Sequence, residues 1–456
     1  VGHSKSSDAA PGPSARWASL GLLIVAAILS FVDRQIVSLL VGPIKADLGL
    51  TDVEISLVQG LAFALFYAIA ALPFGMLVDR VSRRWVLALG IIGWSIMTAV
   101  CGFARSFWEL FVARMGVGIG EASLGPAAHS LIGDLFRGAR LPLAMSLYGL
   151  GVAAGAAIAT IVGGQVAAWV ETHPGAVVPG LGLVEGWRLA FSIVAAPGFI
   201  VAAAVFLIIP AAFARAQSQP RSAEAAAAAQ AAEGFGAFIR RAAGPGALIL
   251  AGLACATAAN YAALSWAPAF LQRSFGLSAG QAGLALGLLI FTAALPGGLI
   301  WSLVATRMAR RSQTAALVVL AASTAAAAPF AVIGYVADTL PIAIGGLYLA
   351  TFLGAGLVGL GPAIVQAATP SQARGRVSAI QLLVTSVFGM SAGPFAVAAL
   401  TDYVFVAEAR VGEALAISVA VFSLAAGAAL AAARRPYEDF LGAGAAHRET
   451  DAPEAT

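Results

Sequence analysis

Twelve apolar runs, each long enough to cross a bilayer as a helix, constrain this chain more than any other feature. A hydrocarbon core about 30 Å thick takes roughly 20 apolar residues per helix, and runs of that length fall at 17–41, 54–78, 85–104, 107–132, 142–169, 187–210, 244–271, 279–304, 313–337, 340–367, 376–400 and 411–433. Between the third and fourth runs only 104–107 intervene, so that boundary is the least defined. Composition agrees. Charged residues make up 11% of the chain, against about 25% in ordinary soluble domains, and no aqueous surface can be built from so few. The 51 glycines suit helices that pack backbone to backbone in lipid. An all-α membrane protein follows.

Orientation comes from Lys and Arg, which mark the cytoplasmic side. Connections on the side of the termini hold 19 of them, including Arg80, Arg83, Arg84, Arg240, Arg241, Arg307, Arg310, Arg311, Arg434 and Arg435. The opposite side holds five: Lys45, Arg105, Arg188, Arg273 and Arg410. Both termini are therefore expected in the cytoplasm of a cell with the chain in its inner (plasma) membrane. The net charge of +4 reflects this asymmetry and not a nucleic-acid partner. A polar tail at 1–16 precedes the first run and is too long and polar for the start of a signal peptide; the first residue, Val1, reads as a trimmed start. The longest connection, 211–243, separates six runs from six, giving an N-terminal bundle at 17–210, a C-terminal bundle at 244–433 and a tail at 434–456. Its Ala-rich core and the amphipathic stretch 235–241 predict a cytoplasmic linker, helical in part and resting on the membrane surface.

The halves repeat one another. Gly75-Met-Leu-Val-Asp79-Arg80-Val-Ser-Arg83-Arg84 has a counterpart 227 residues on, Ser302-Leu-Val-Ala-Thr306-Arg307-Met-Ala-Arg310-Arg311. The same offset carries Asp33-Arg34 onto Asn260-Tyr261. An offset of 236 carries Leu124-Gly-Pro-Ala onto Leu360-Gly-Pro-Ala. Two pseudo-symmetric six-helix bundles with a site between repeats are a common secondary-transporter plan.

The stretch Gly75–Arg84 resembles the G-x-L-x-D-R-x-x-R-R loop of the major facilitator superfamily, and Arg114-Met-Gly-Val-Gly-Ile-Gly120 resembles its fourth-span motif. The Gly/Ala-rich stretch 149–155 is similar to the antiporter motif of its fifth span. Phe31-Val-Asp-Arg-Gln35, Ala113-Arg114 with Gly120-Glu121-Ala122, and Gly186-Trp-Arg188 together resemble the Spinster-like branch. The resemblance implies a major facilitator fold and proton-linked transport, in that branch of lysophospholipids or sphingolipids. Thr306 stands where the second loop copy would carry Asp, a departure from symmetric gating.

Asp33 and Glu121 are the acidic residues well inside the runs, and Arg34 and Arg114 the basic ones. A charge at the bilayer centre costs at least ~2.5–3.5 kcal/mol, so each needs a partner or a wet cavity. Asp33 lies roughly 20–24 Å along span one and Arg114 roughly 10 Å along span four, with Glu121 two turns beyond Arg114 on nearly the same face. Asp33 and Glu121 are the candidate proton sites, because low dielectric favours a protonated carboxyl unless a cation opposes it. Arg34 and Arg114 are candidate ion-pair partners and binders of an anionic headgroup. Competition for these arginines would couple the two fluxes, with substrate moving in exchange for protons. The alternative role is a static ion-pair network that fixes helix packing.

The second half offers Asn260, Tyr261, Trp266, Tyr348 and Gln381 as candidate cavity lining. Gly75, Asp79, Arg80, Arg83 and Arg84 are expected to form a cytoplasmic gate, with Asp134 as acidic partner. Gly149, Gly151 and Gly155 are expected to serve packing, and His129 to be packed or cytoplasm-facing. Cys101 and Cys255 lie in apolar runs, the four histidines are scattered and no phosphate-binding loop occurs. Neither a metal nor another cofactor is expected, and neither ATP-driven transport nor catalysis. The expected partners are a lipid or amphiphilic substrate, protons and membrane lipids, with the chain a monomer. Two rival readings stand beside this one: a proton-coupled symporter of a small organic anion, and a membrane sensor or enzyme that transports nothing.

Overall fold

The computed structural model describes residues 13–78, 80–136, 138, 140–173, 175–178, 182–210, 221–370 and 373–450. Among them, eleven helices are long and apolar enough to span a bilayer. The twelfth run of the sequence is present but broken. Span four consists of Phe107–Glu121 and Leu124–Leu135, interrupted at Ala122-Ser123, where the Ser123 hydroxyl donates to Gly120 O at 2.8 Å. Span ten breaks likewise at Ala355, between Leu340–Gly354 and Gly356–Ala368. The two breaks fall at nearly matching repeat positions, so the repeat seen in the sequence is also a repeat of helix interruptions.

Local chemistry explains the ends. Ser106 caps span four by accepting from Glu109 N at 3.3 Å, while Glu109 reaches back to Arg105 N at 2.8 Å. This places the uncertain boundary after span three between Cys101 and Phe107. Thr51 and Glu54 form a reciprocal capping box at the start of span two, which satisfies two donors otherwise orphaned at a helix N-terminus. Prolines inside the spans, among them Pro73, Pro197, Pro329 and Pro394, are tolerated because neighbouring helices and local adjustments re-satisfy the freed carbonyls. Spans eight and eleven also carry π-helical turns, Ile290–Ala294 in the first and Thr385–Gly389 and Leu400–Phe405 in the second.

The chain divides into two compact units. One holds Val1–Gly49, Leu65–Gln219 and Ala279–Gly287; the other holds Leu50–Ala64, Pro220–Ser278 and Leu288–Thr456. The division is that of the repeats except that the first turns of spans two and eight change units. In the first unit, span one packs on spans five and six, and span three on spans four and six. Gly151 and Gly155 of span five face Ile24 and Ile28 of span one so closely that an added Cβ would come within 2.6 and 3.1 Å of them. Gly149 has open space and takes no part in this packing. In the second unit, span seven packs on span twelve, and span nine on spans ten and twelve, around Leu253, Leu320, Ile364 and Leu430. Large apolar side chains such as Leu207 (86% exposed), Val358 (78%), Ile200 (72%) and Trp108 (69%) point outward. Apolar surface on this scale is untenable in water and is what a bilayer solvates.

Two elements differ from the sequence expectation. The connection after span five contains a two-stranded antiparallel hairpin, Gly175–Val178 with Gly182–Glu185. The linker, from Arg221 onward, is continuous helix with span seven, Arg221–Phe275, and its residues 211–220 lie outside the described residues. Span twelve likewise runs on into the tail as Val411–Thr450.

Close approach of spans three and four positions the site. A Cβ on Gly120 would lie 2.7 Å from Trp94 N, and Trp94 is itself fully buried. Gly120→Val should therefore overpack this contact, at a cost of about 1–3 kcal/mol. A lower melting temperature in detergent than wild type is the expected result.

Candidate functional site

The candidate site is a buried cluster of four ionisable side chains on spans one and four. Successive turns of span one put Ser30 and Arg34 on one face, four residues apart, while Gly116 and Gly120 of span four face Met97 and Trp94 of span three. Arg34 Nε donates to Glu121 Oε2 at 2.7 Å, with Nη2 also 2.7 Å from that oxygen. Ser30 Oγ donates to the same oxygen at 2.5 Å and accepts from Arg34 Nη2 at 3.2 Å. The other Glu121 oxygen, Oε1, has no hydrogen-bond partner among the described residues. Charge-assisted bonds of this kind are roughly twice as strong as neutral ones.

Arg114 reaches the backbone of span one: its Nη1 donates to Asp33 O at 3.0 Å. Asp33, Arg114 and Glu121 are all buried, at 2%, 1% and 1% exposure, and Asp33 Oδ1 accepts no hydrogen bond among the described residues. Arg34 is the accessible member, with 18% of its side chain exposed. Its guanidinium lies over Phe31 and Tyr67, 5.2 and 5.3 Å from the ring centroids. With both carboxylates ionised the cluster is neutral. One added proton leaves it with a charge of +1, next to aromatic surface.

The remaining expected residues are more scattered. Asn260 is exposed and Tyr261 half-buried on span seven, and Gln381 is half-buried on span eleven. Tyr348 donates to Thr292 O at 3.0 Å. Trp266, expected on the cavity wall, is instead fully buried, its indole N–H on Pro394 O at 3.1 Å. An indole that finds a carbonyl partner within its own bundle packs as core. His129 is exposed and bonds Gly125 O at 2.8 Å.

At the expected cytoplasmic gate, Arg83 pairs with Asp134 in an ion pair that is largely buried on the arginine side. Arg84 donates to Phe206 O and stacks on the Phe206 ring. Arg80 is exposed, a Cβ on Gly75 would meet nothing within 4 Å, and Asp79 lies outside the described residues. Replacing Arg83 by Gln should cost the first unit about 1.5–3 kcal/mol, the usual worth of a hydrogen bond to a charged group. Lower thermal stability that the Arg83→Asp/Asp134→Arg exchange partly restores is the expected outcome.

Two polar clusters at the opposite ends of the spans escaped the sequence reading. In the first unit, Arg188 Nη2 and Trp187 Nε1 both donate to Asp47 Oδ2, at 2.7 and 3.0 Å, while Arg188 Nη1 donates to Gly102 O at 3.2 Å. The Gly186-Trp-Arg188 signature thus ties the end of span one and the turn after span three to span six. In the second unit, Arg273 Nη1 and Nη2 grip Asp52 Oδ2 and Oδ1 at 2.8 and 3.0 Å. Thr401 donates to Asp52 Oδ2 at 3.2 Å, Glu408 lies 3.2 Å from Arg273, and Val53 N donates to Asp402 at 2.7 Å. The start of span two is thereby held by the ends of spans seven and eleven. Its repeat equivalent is captured too: Ala279 N, at the start of span eight, donates to Glu171 Oε1 at 2.8 Å. Asp52 and Ala279 are 227 residues apart, the offset of the loop repeat.

Paired helix breaks, a repeat of six-span halves and a buried charge cluster on spans one and four mark a multi-pass membrane protein. Residues 23–394 match the Major Facilitator Superfamily, and the chain belongs to that family, whose members are transporters of small molecules. It is 32% identical over 420 residues to an MFS-type efflux pump of Mycolicibacterium smegmatis, covering 91% of each chain. It is also 32% identical over 169 residues to the sphingosine-1-phosphate transporter SPNS2 of Xenopus tropicalis, 36% of this chain and 33% of that one. Among solved structures, a bacterial homologue of the human lysosomal transporter Spinster, in an inward-facing and occupied conformation, superposes with a TM-score of 0.72. The two are 25% identical over 95% of this chain and 98% of the other.

Proposed function

We propose that this protein is a proton-coupled transporter of an amphiphile with an anionic head, working by alternating access of two six-span repeats. Both termini lie in the cytoplasm and the chain sits in the inner (plasma) membrane as a monomer. The observation that carries the reading is the Arg34–Glu121 pair, in which a buried carboxylate holds an accessible guanidinium. A proton on Glu121 weakens its hold on Arg34 and releases a cation toward substrate. Aromatic rings beside Arg34 then suit an amphiphile better than a small hydrophilic anion. The likeness to a sphingosine-1-phosphate transporter, whose substrate unites phosphate and hydrocarbon, supports the same chemistry.

The Arg34–Glu121 contact supports a sign for the coupling. Because protonation frees the arginine that the anion needs, proton and anionic head bind together and travel in the same direction. This reading differs from the proton exchange expected from the sequence. Exchange remains the second reading for a cationic amphiphile, which competes with the proton for Glu121, and the efflux-pump relative favours it.

The deciding experiment is uptake into proteoliposomes of labelled lysophospholipids, small organic anions and cationic amphiphiles, with pH gradients of either sign. Lysophospholipid uptake accelerated by an inward proton gradient is the expected outcome. Uptake indifferent to the gradient, or transport restricted to the acyl-free anions, would overturn the proposal.

A further inference from the structure

At one end of the second unit an apolar cavity of about 280 Å³ opens between four helical segments. Its walls include Phe238 and Pro245 at the start of span seven, Val365 at the end of span ten, Val377 at the start of span eleven, and Tyr437 and Phe440 beyond span twelve. The hydroxyls on the wall are already committed: Tyr437 donates to Ile364 O at 2.8 Å and Thr369 to Val365 O at 2.6 Å. The cavity thus offers hydrocarbon and nothing else. At this volume it falls just below pockets for drug-sized ligands, which run from about 300 Å³ upward, and it suits a length of acyl chain.

The rim has the opposite character. Arg240 and Arg241 lie between the lining residues Ile239 and Ala242, Arg376 adjoins Val377, and Arg374, Arg434 and Arg435 are close by in sequence. All six are exposed, against the two exposed acids Glu438 and Asp439. Arg376 is further placed by its stacking on Phe235, 5.2 Å from the ring centroid. On the orientation proposed above, all four segments lie at the cytoplasmic ends of their spans, at the depth of the inner-leaflet headgroups. An apolar slot beneath a basic rim at that depth matches an anionic lipid.

We propose that this cavity binds one acyl chain of an anionic glycerophospholipid of the cytoplasmic leaflet, with the phosphate held among Arg240, Arg241 and Arg376. The helix passing over it runs without interruption through Gly244-Pro245-Gly246, a sequence that is weak in a helix because proline lacks an N–H and glycine gains conformational freedom on unfolding. A bound chain braces the joint between the linker and span seven.

The test uses the full chain, delipidated in neutral detergent, with native mass spectrometry and thermal shift as readouts. The probes are dioleoyl phosphatidylglycerol, dioleoyl phosphatidylcholine and inorganic phosphate. Phosphatidylglycerol is expected to bind at least tenfold more tightly than phosphatidylcholine, with no competition from phosphate. The Arg240→Gln/Arg241→Gln/Arg376→Gln variant is expected to bring the two lipids to parity. Gly246→Leu, where an added Cβ meets nothing within 4 Å, is expected to weaken both without lowering the melting temperature of the lipid-free protein. Ala368→Leu fills the cavity from another helix should Gly246→Leu fail to fold. Equal binding of the two lipids by wild type, displacement by phosphate, or unaltered binding by a folded cavity-filling variant would each refute the site. These readouts need no transport, so failure of the transport proposal leaves them interpretable.

Discussion

Glu121→Gln should abolish pH-driven uptake, by tenfold or more, while substrate counterflow at equal pH on both sides survives. The amide keeps the shape of the carboxyl and an oxygen for Arg34 Nε and Ser30 Oγ, which bond Glu121 Oε2 at 2.7 and 2.5 Å in the wild type. It cannot take up and release a proton. The cluster then carries a fixed charge of +1 from Arg34 and Arg114 against Asp33, so the anionic head is bound but no longer linked to pH. Counterflow needs the carrier to reorient only with substrate aboard and tolerates that loss. Uptake by Glu121→Gln with wild-type rate and pH dependence would remove Glu121 from the proton pathway and leave the pair as a packing device. Arg34→Gln is the complementary variant, expected to impair counterflow as well, since it removes the accessible cation.

The second large effect is expected at Arg273. Replacing it by Gln removes two charge-assisted bonds from the Asp52 carboxylate, which is wholly buried and also accepts from Thr401. Removing one member of a buried pair costs about 3–5 kcal/mol, chiefly because the other charge stays behind unpaired, whereas removing both is often neutral. Arg273→Gln should therefore lower the melting temperature sharply, and Asp52→Asn/Arg273→Gln should recover most of the loss. Additive single effects in the double variant would show that the bidentate contact contributes nothing. Glu408, 59% exposed at 3.2 Å from the same guanidinium, should matter much less, because exposed pairs are worth about 0–1 kcal/mol. If the start of span two is released and recaptured during transport, the single variants also change the transport rate and the double variant restores it only in part.

The spans and their repeat were legible in the sequence because hydrocarbon thickness imposes one length on every crossing helix, and charge in such helices is too costly to be casual. That economy isolated Asp33, Arg34, Arg114 and Glu121 among 48 charged residues, and the folded chain gathers those four on two neighbouring helices. Ser30 was missed although it lies one helical turn from Arg34, a spacing that could have suggested it. Asp52 and Arg273 were missed for a different reason. They sit at span ends, where charged residues are ordinary, and their pairing across 221 residues leaves no local trace. Trp266 was misread because an aromatic ring on a span has the same sequence signature in a core as on a cavity wall.

The sequence by itself determined the apolar spans, their repeat and the shortlist of buried charges, all of which follow from how each residue type partitions between water and lipid. Only the tertiary structure decided that Glu121 pairs with Arg34 while Arg114 holds a backbone carbonyl. It also decided where span four breaks and which ends of the spans are tied together. Partitioning depends on residue type alone, whereas hydrogen bonds and close packing depend on which surfaces meet, and that is fixed only when distant segments pack.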